Sequence, residues 1–394
     1  MDLKQAMERH LSDTIIPFWS ELRDGVHGGY IGYVGFDLKA DSAAPKGCIQ
    51  NSRILWFFST AYTLLKQPLL LTCAHQAYRY MDSFMDKREG GLFWMCTADG
   101  EPMDDTKHTY NHAFAIYALA AYARATGREK PLRQAVALFE LIESRMVKDG
   151  YYLDAFSRSF KPLQNLKLSD NPKLLARGVV AEKTMNTLLH VLEAYTLLYE
   201  VGGDPRVKER LIWLLRLIRD KVYNPEQNRL DVFFSMAMKP LIDMQSYGHD
   251  IEASWLIDLA AEAVLADGEL EQFEQMTARL AWGVLERALR ENSLLNERVE
   301  GIDDPRRIWW VQAEAMVGMT NLWQKTCNPA LRERMDALWG YIAQHIVDPR
   351  QNGEWFAETD TRGRHPEVPV AGPWKAPYHN GRMCMEIIRR LGKP

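Results

Sequence analysis

Six short segments interrupt the helical pattern of this 394-residue chain at near-regular intervals, and no other feature limits its fold so tightly. They read "GGYIGYVGF", "GGLFWMC", "GYYLDAF", "NRLDVFF", "LLNERVEG" and "GEWFAET". Anchored at Gly29, Gly91, Gly150, Arg229, Leu295 and Gly353, they lie 62, 59, 79, 66 and 58 residues apart. Aromatic residues bracketed by Gly or Asn predict hairpin-like turns at these places. The one long interval predicts an extra loop over roughly 157 to 180.

Each interval has room for two helices. In "DPRVKERLIWLLRLIRDKV", Asp204 is placed to cap, Pro205 takes the first helical position, and Arg and Lys keep one face wet, which marks an outer helix. By contrast "SRILWFFSTAYTLL" and "NHAFAIYALAAYA" are apolar nearly all round, as a helix buried on every side must be. Inner helices are expected to start near residues 51, 111, 183, 249, 308 and 380. About twelve helices, alternately outer and inner, predict an all-α (α/α)6 barrel with short β-hairpin-like loops, a single catalytic domain over 1–394. The alternative is an open helical solenoid, which would not need its six inner helices to share a centre.

Composition excludes several functions. A net charge of -4 and a pI near 6.2 leave no basic surplus for nucleic acid. No stretch reaches the length of apolar chain that a membrane span requires, and the charged, amphipathic start reads as no secretory signal. Five scattered cysteines without a CxxC pair suit a reducing, cytoplasmic setting with neither a disulfide framework nor a thiolate metal site. A Gly-rich strand–helix turn for a nicotinamide cofactor is missing, no cofactor is implied, and a monomer is the default expectation.

Polar residues that look misplaced in a core gather at the starts of the inner helices. They are Asn51 and Arg53; Tyr110, Asn111 and His112; Lys183, Asn186 and His190; His249, Glu252 and Trp255; Trp309, Trp310, Gln312 and Glu314; and Trp374, His379, Asn380 and Arg382. In an up-and-down barrel all inner helices run the same way, so these groups are expected to meet in one cup. In "SYGHDIEASW", Asp250 is expected to cap, and His249 with Glu252 share a helix face. A histidine near a helix N-terminus feels the positive end of the dipole and stays neutral. His190, His249 and His379 with Glu252 also offer a formal metal-ligand set, though without a recognised ligand spacing. A glycosidase would need two carboxylates flanking the scissile bond, for which Glu252 and Glu314 are the candidates. Arg53 is a candidate ion-pair partner for either carboxylate.

The strings "SRILWFFS", "KHTYNHAFAIYAL", "EKTMNTLLHVLEAYT", "SYGHDIEASWL", "RIWWVQAEA" and "GPWKAPYHNGRMCMEI", in that order, resemble the cellobiose 2-epimerases, a branch of the N-acylglucosamine 2-epimerase family. The resemblance implies an (α/α)6 barrel that inverts C2 of a reducing sugar, with β-1,4-linked disaccharides such as cellobiose or lactose as substrates. It implies His249 and His379 as the two acid/base groups, His190 for ring opening and closure, and Arg53 near the sugar oxygens. Tyr110, Asn186, Trp255, Trp309, Trp310, Glu314 and Trp374 take substrate-binding or supporting positions. Asn51, His112 and Ala376 depart from the family pattern, and Asn51 bears on sugar selectivity.

The chemistry agrees with that assignment. The C2 proton is acidic only when C1 is a carbonyl, so a cyclic sugar opens first. Its removal then gives an enediolate that a fixed cation such as Arg53 stabilises. Inversion needs a proton to leave one face and return on the other, a task for two bases, with Glu252 expected to hold His249 in one tautomer. An epimerase or aldose–ketose isomerase acting on a monosaccharide is the nearest alternative, and a glycoside hydrolase the next.

Overall fold

The computed structural model describes residues 2–168 and 171–392, so Ser169 and Asp170 of the expected extra loop lie outside the described residues. Helix α1 runs as Leu3–His10, a π turn Leu11–Ile15, and Ile16–Glu21. Then come α2 Cys48–Leu65, α3 Pro68–Phe84, α4 Thr109–Thr126 and α5 Glu129–Leu141, which ends in a π turn Ile142–Met146. A short α6, Pro172–Ala176, stands in the long loop, capped by Asn171. After it follow α7 Met185–Gly202, α8 Pro205–Leu217 with its π turn Ile218–Val222, α9 Tyr247–Val264 and α10 Asp267–Ala288. The last three are α11 Trp309–Thr326, α12 Pro329–His345 and α13 His379–Leu391.

Helices α2, α4, α7, α9, α11 and α13 each touch the next, and α13 returns to α2, so the inner ring closes. Each of α3, α5, α8, α10 and α12 lies against the inner helix it follows, and α1 covers α13. This closed ring is the (α/α)6 barrel, and it rules out the open solenoid. Local chemistry sets the boundaries. Asp204 accepts from the Arg206 N–H at 2.9 Å, as the sequence predicts, and Pro occupies the start of α3, α6, α8 and α12.

All six predicted hairpins form, each at the exit of an outer helix. Three are ladders, Val147–Lys148 with Tyr151–Tyr152, Tyr223–Asn224 with Arg229–Leu230, and Leu289–Arg290 with Ser293–Leu294. The other three are single bridges, Arg23 with Tyr30, Met85 with Leu92 and Val347 with Trp355. A second set of pairings ties the segment ahead of each inner helix to the following repeat. Lys46–Gly47 pairs with Met95–Cys96, Lys107–His108 with Ala155–Phe156, and Lys183–Thr184 with Phe233–Phe234. Met244–Ser246 pairs with Glu297–Val299, Arg307–Ile308 with Glu358–Thr359, and a Val34–Ala371 bridge closes the circle. The inner helices therefore start at one rim, all with their N-termini there.

Several residues expected in the central cup turn outward instead and fasten the inner helices to the rim. Asn51 donates to Ala77 O at 3.1 Å, Asn111 to Phe93 O at 3.0 Å, and His112 Nε2 accepts from Leu92 N at 2.9 Å. Gln312 bonds both Leu294 N and Leu294 O at 2.8 Å, Lys183 donates to Met236 O, and Asn380 donates to Glu354. Asp250 caps nothing. It lies buried inside the first turn of α9 and accepts from Leu230 N at 3.0 Å and Gln245 Nε2 at 2.8 Å. The reason is geometric: successive residues of a helix point about 100° apart, so of two polar neighbours only one faces the axis.

Closure also depends on a close approach of α13 to α2. A Cβ added at Gly381 would stand 2.5 Å from the Phe57 ring, so only glycine lets these two inner helices meet at their present distance.

Candidate active site

The N-terminal rim encloses a cavity of about 520 Å³ on the barrel axis. It is bordered by Arg53 from α2, Tyr110 from α4, Asn186 and His190 from α7, and His249 from α9. Trp309 and Trp310 from α11, Trp374 from the last loop, and His379 from α13 complete the predicted set found there. Glu252, Trp255 and Glu314 do not border it; they lie buried one layer below.

The three histidines are held alike. His190 Nδ1 lies 2.9 Å from Glu193 Oε2, His249 Nδ1 lies 2.7 Å from Ser246 Oγ, and His379 Nδ1 lies 2.7 Å from Glu314 Oε1. Among the described residues no protein atom is hydrogen-bonded to Nε2 of any of the three. A ring tied at Nδ1 by a carboxylate, as His190 and His379 are, carries its proton there and keeps a lone pair on Nε2, whereas the Ser246 hydroxyl, able to donate or accept, orients His249 without choosing its tautomer. Burial pushes His249 down to about 3, with His190 adding to the shift. Burial, and then the Arg382 and Arg53 charges, hold His379 well below the usual imidazole range. The direction is the one expected from the helix dipole, but desolvation is the larger cause.

His249 and His379 sit on α9 and α13, and the helix between them, α11, places Trp310 against both. The Trp310 ring lies 4.8 Å from the His249 ring and 5.4 Å from the His379 ring, centre to centre. Gly248 makes this possible, because a Cβ there would stand 2.5 Å from the Trp310 ring. Trp309 backs His379 edge-on at 5.6 Å.

Below the imidazoles lies a charge cluster that sequence reading assigned differently. Glu252 does not hold His249; its Oε1 accepts from Arg382 Nη2, and it stands 4.0 Å from His379 Nδ1. The same guanidinium donates to Glu314 Oε1 at 2.7 Å and to Glu193 Oε1 at 2.5 Å. Trp255 Nε1 donates to Glu314 Oε2 at 3.2 Å, so Trp255 supports the His379 anchor and does not border the cavity. Burial, with the Glu314 charge added, pushes Glu252 up to about 7. Burial would discharge Arg382, but the carboxylates and Tyr378 around it hold it well above its ordinary value.

These contacts bear on two alternatives. Glu252, Glu314 and His379 bring donor atoms within 4.8 Å of one another, yet Arg382 already donates to both carboxylates and supplies the positive charge a metal would bring. Among the described residues neither ring nitrogen of His190 or His249 joins His379 and Glu252 in a cluster of ligand size, so the set of three imidazoles with Glu252 is not assembled around one point. As a glycosidase pair, Glu252 and Glu314 fail because they share one arginine outside the cavity and flank nothing within it.

Arg53 pairs with neither carboxylate. Its Nη1 donates to Trp374 O at 2.7 Å and its Nη2 to the Tyr110 hydroxyl at 2.9 Å, with the guanidinium over the Phe114 ring at 4.5 Å. A cation on the cavity wall without a carboxylate partner keeps its field for whatever binds there. Trp374 is 46 % exposed, a large apolar plate at the mouth backed by Trp94 at 5.5 Å. Glu193, Ser246, Tyr378 and Arg382 carry out work that sequence reading did not assign. For Glu193 the signal was present, since "HVLE" repeats the i, i+3 spacing of "HDIE".

Known proteins place this geometry. The family model of N-acylglucosamine 2-epimerase (GlcNAc 2-epimerase) matches residues 29–382. The cellobiose 2-epimerase of Dictyoglomus turgidum is 43% identical over 390 residues, covering 99% of both chains. That of Ruminococcus albus is 44% identical over 387 residues, covering 98% of each. The solved structure of cellobiose 2-epimerase from Bacillus thermoamylovorans superposes with a TM-score of 0.94 at 39% identity, covering 98% of this chain and 99% of that one. The chain therefore belongs to the N-acylglucosamine 2-epimerase family.

Proposed function

We propose that this chain is a cellobiose 2-epimerase, interconverting the glucose and mannose configurations at the reducing end of β-1,4-linked disaccharides. The observation that carries the reading is the set of three imidazoles on three different helices, all bordering one cavity, each tied at Nδ1 and, among the described residues, free of protein partners at Nε2. The names of its relatives point the same way.

In this reading His190 takes the anomeric O1 proton on Nε2 and returns a proton to the ring oxygen. The C1–O5 bond breaks as C1=O forms. His249 or His379 then removes the C2 proton, and the electron pair moves into a C1–C2 enediolate whose negative oxygen faces the Arg53 guanidinium. The other imidazole delivers a proton to the opposite face of C2, and ring closure reverses the first step. Burial keeps both imidazoles neutral, so each begins with a lone pair able to take a proton. Glu314 then stabilises the imidazolium on His379, and Ser246 orients His249. Trp310 and Trp374 offer faces for the two sugar rings. The steps consume no cofactor, and the whole chain acts as one catalytic domain.

Turnover of cellobiose in heavy water should place deuterium at C2 of glucosyl-mannose, read by NMR or mass spectrometry. Deuterium at C1 of a ketose product would identify an aldose–ketose isomerase instead, and release of monosaccharides a hydrolase.

A further inference from the structure

One hydrogen bond links two cavities: Glu193 lines the rear one, and the His190 it holds lines the central one. Besides the central cavity, a second of about 230 Å³ enters the barrel from the far side, lined by Trp56, Tyr117, Thr196 and Glu193. Glu193 is buried, and its oxygens take His190 Nδ1 at 2.9 Å, the Tyr378 hydroxyl at 2.5 and 2.6 Å, and Arg382 Nη1 at 2.5 Å. We propose that Glu193 is a positioning residue for the reaction, acting through His190 by fixing its proton on Nδ1, and that the rear cavity is an entrance to the place this carboxylate fills. The inference rests on the reading of His190 as the ring-opening group.

Burial alone would favour the neutral acid. The Arg382 charge and the hydrogen bonds from His190 and the Tyr378 hydroxyl outweigh it and hold Glu193 down at about 2. An anion only accepts hydrogen bonds, so every neighbour points a proton at it and His190 has one tautomer open to it. Its Nε2 is then a base before any sugar arrives. An amide of the same shape reverses this, because a Gln N–H donates to Nδ1 and drives the ring proton to Nε2. The corresponding change beside a catalytic histidine elsewhere, carboxylate to amide, preserves geometry and removes about 10⁴ in rate.

The test is a double-mutant cycle on cellobiose epimerisation, with circular dichroism as a fold control. Glu193→Gln should lower kcat by about 10²–10⁴ while KM changes by less than about threefold. In a His190→Ala background the same change should cost less than about threefold, because its target is gone. An equal loss in both backgrounds overturns the proposal, since Glu193 would then act through Arg382 or the fold at large. Near-normal turnover by His190→Ala alone would instead remove the ring-opening role of His190. A second measurement guards against a poorly folded amide variant. Glu193→Ala leaves a gap continuous with the rear cavity, and sodium formate should raise its kcat at least about tenfold where sodium chloride of equal ionic strength does not. The His190→Ala/Glu193→Ala double variant should gain nothing from formate. Equal gains with formate and chloride, or a gain in the double variant, overturn the proposal.

Discussion

In the proposed mechanism a buried imidazole works as a base only if something decides which nitrogen carries its proton, and for two of the three a carboxylate makes that decision. Glu193 and Glu314 accept from Nδ1 of His190 and His379, and the Ser246 hydroxyl bonds Nδ1 of His249 and sets its orientation. His249→Ala and His379→Ala should each lower cellobiose epimerisation by about 10³ or more, with the circular dichroism spectrum unchanged. Near-normal turnover in either variant, measured by product chromatography, removes that residue from the two-base scheme. Arg382 carries a different load, standing among three buried carboxylates. Arg382→Met should cost about 3–5 kcal/mol in urea unfolding, because it leaves like charges buried together. A loss below about 1 kcal/mol would mean those carboxyls are neutral in the fold. The sequence named the histidines and arginines but not their pairings. His249 with Glu252 and His190 with Glu193 have the same spacing, yet both carboxylates bond Arg382 and only Glu193 also holds its histidine, while His249 turns to Ser246.

At the scale of elements, the hairpins and the outer and inner helices were legible because each rests on local chemistry, apolar periodicity or turn residues. What the chain does not advertise is rotation about a helix axis. Asn51, Asn111, His112 and Gln312 sit in the same first turns as Arg53, Tyr110 and Trp310, and only the packed rim shows which face the axis. Asp250 illustrates the cost of such a tether. It fastens α9 to the hairpin through Leu230 N, and burial pushes its carboxyl from 3.8 up to about 7. A carboxyl raised in the fold contributes most below its unfolded value and loses that contribution as pH rises through about 7. Asp250→Asn has no such proton to lose, so its stability relative to the parent should improve steadily from about pH 4 to pH 8. A constant difference in urea midpoint over that range contradicts this account.

For the whole molecule, the decisive property is closure. Six seams between successive repeats and the contact of α13 with α2 make a ring in which no inner helix has a free flank. Gly381→Val tests this directly, since the added side chain meets Phe57 where the last inner helix joins the first. It should cost about 1–3 kcal/mol and lower activity by widening the rim, read by thermal unfolding and kcat/KM together. Unchanged stability would show that the two helices part at no cost. Six repeats in the sequence allowed both ring and solenoid; closure is a sum of small rotations that no single segment encodes.

The arginine beneath the three imidazoles has one more effect. With its carboxylates and Tyr378 it stoppers the axis, so a guest has a single doorway and must back out the way it came. In the proposed mode of binding, a sugar with its reducing end at the imidazoles extends toward the exposed Trp374. Under the proposed function, chain length beyond the two rings at the mouth should matter little, which turnover of cello-oligosaccharides of increasing length reads out.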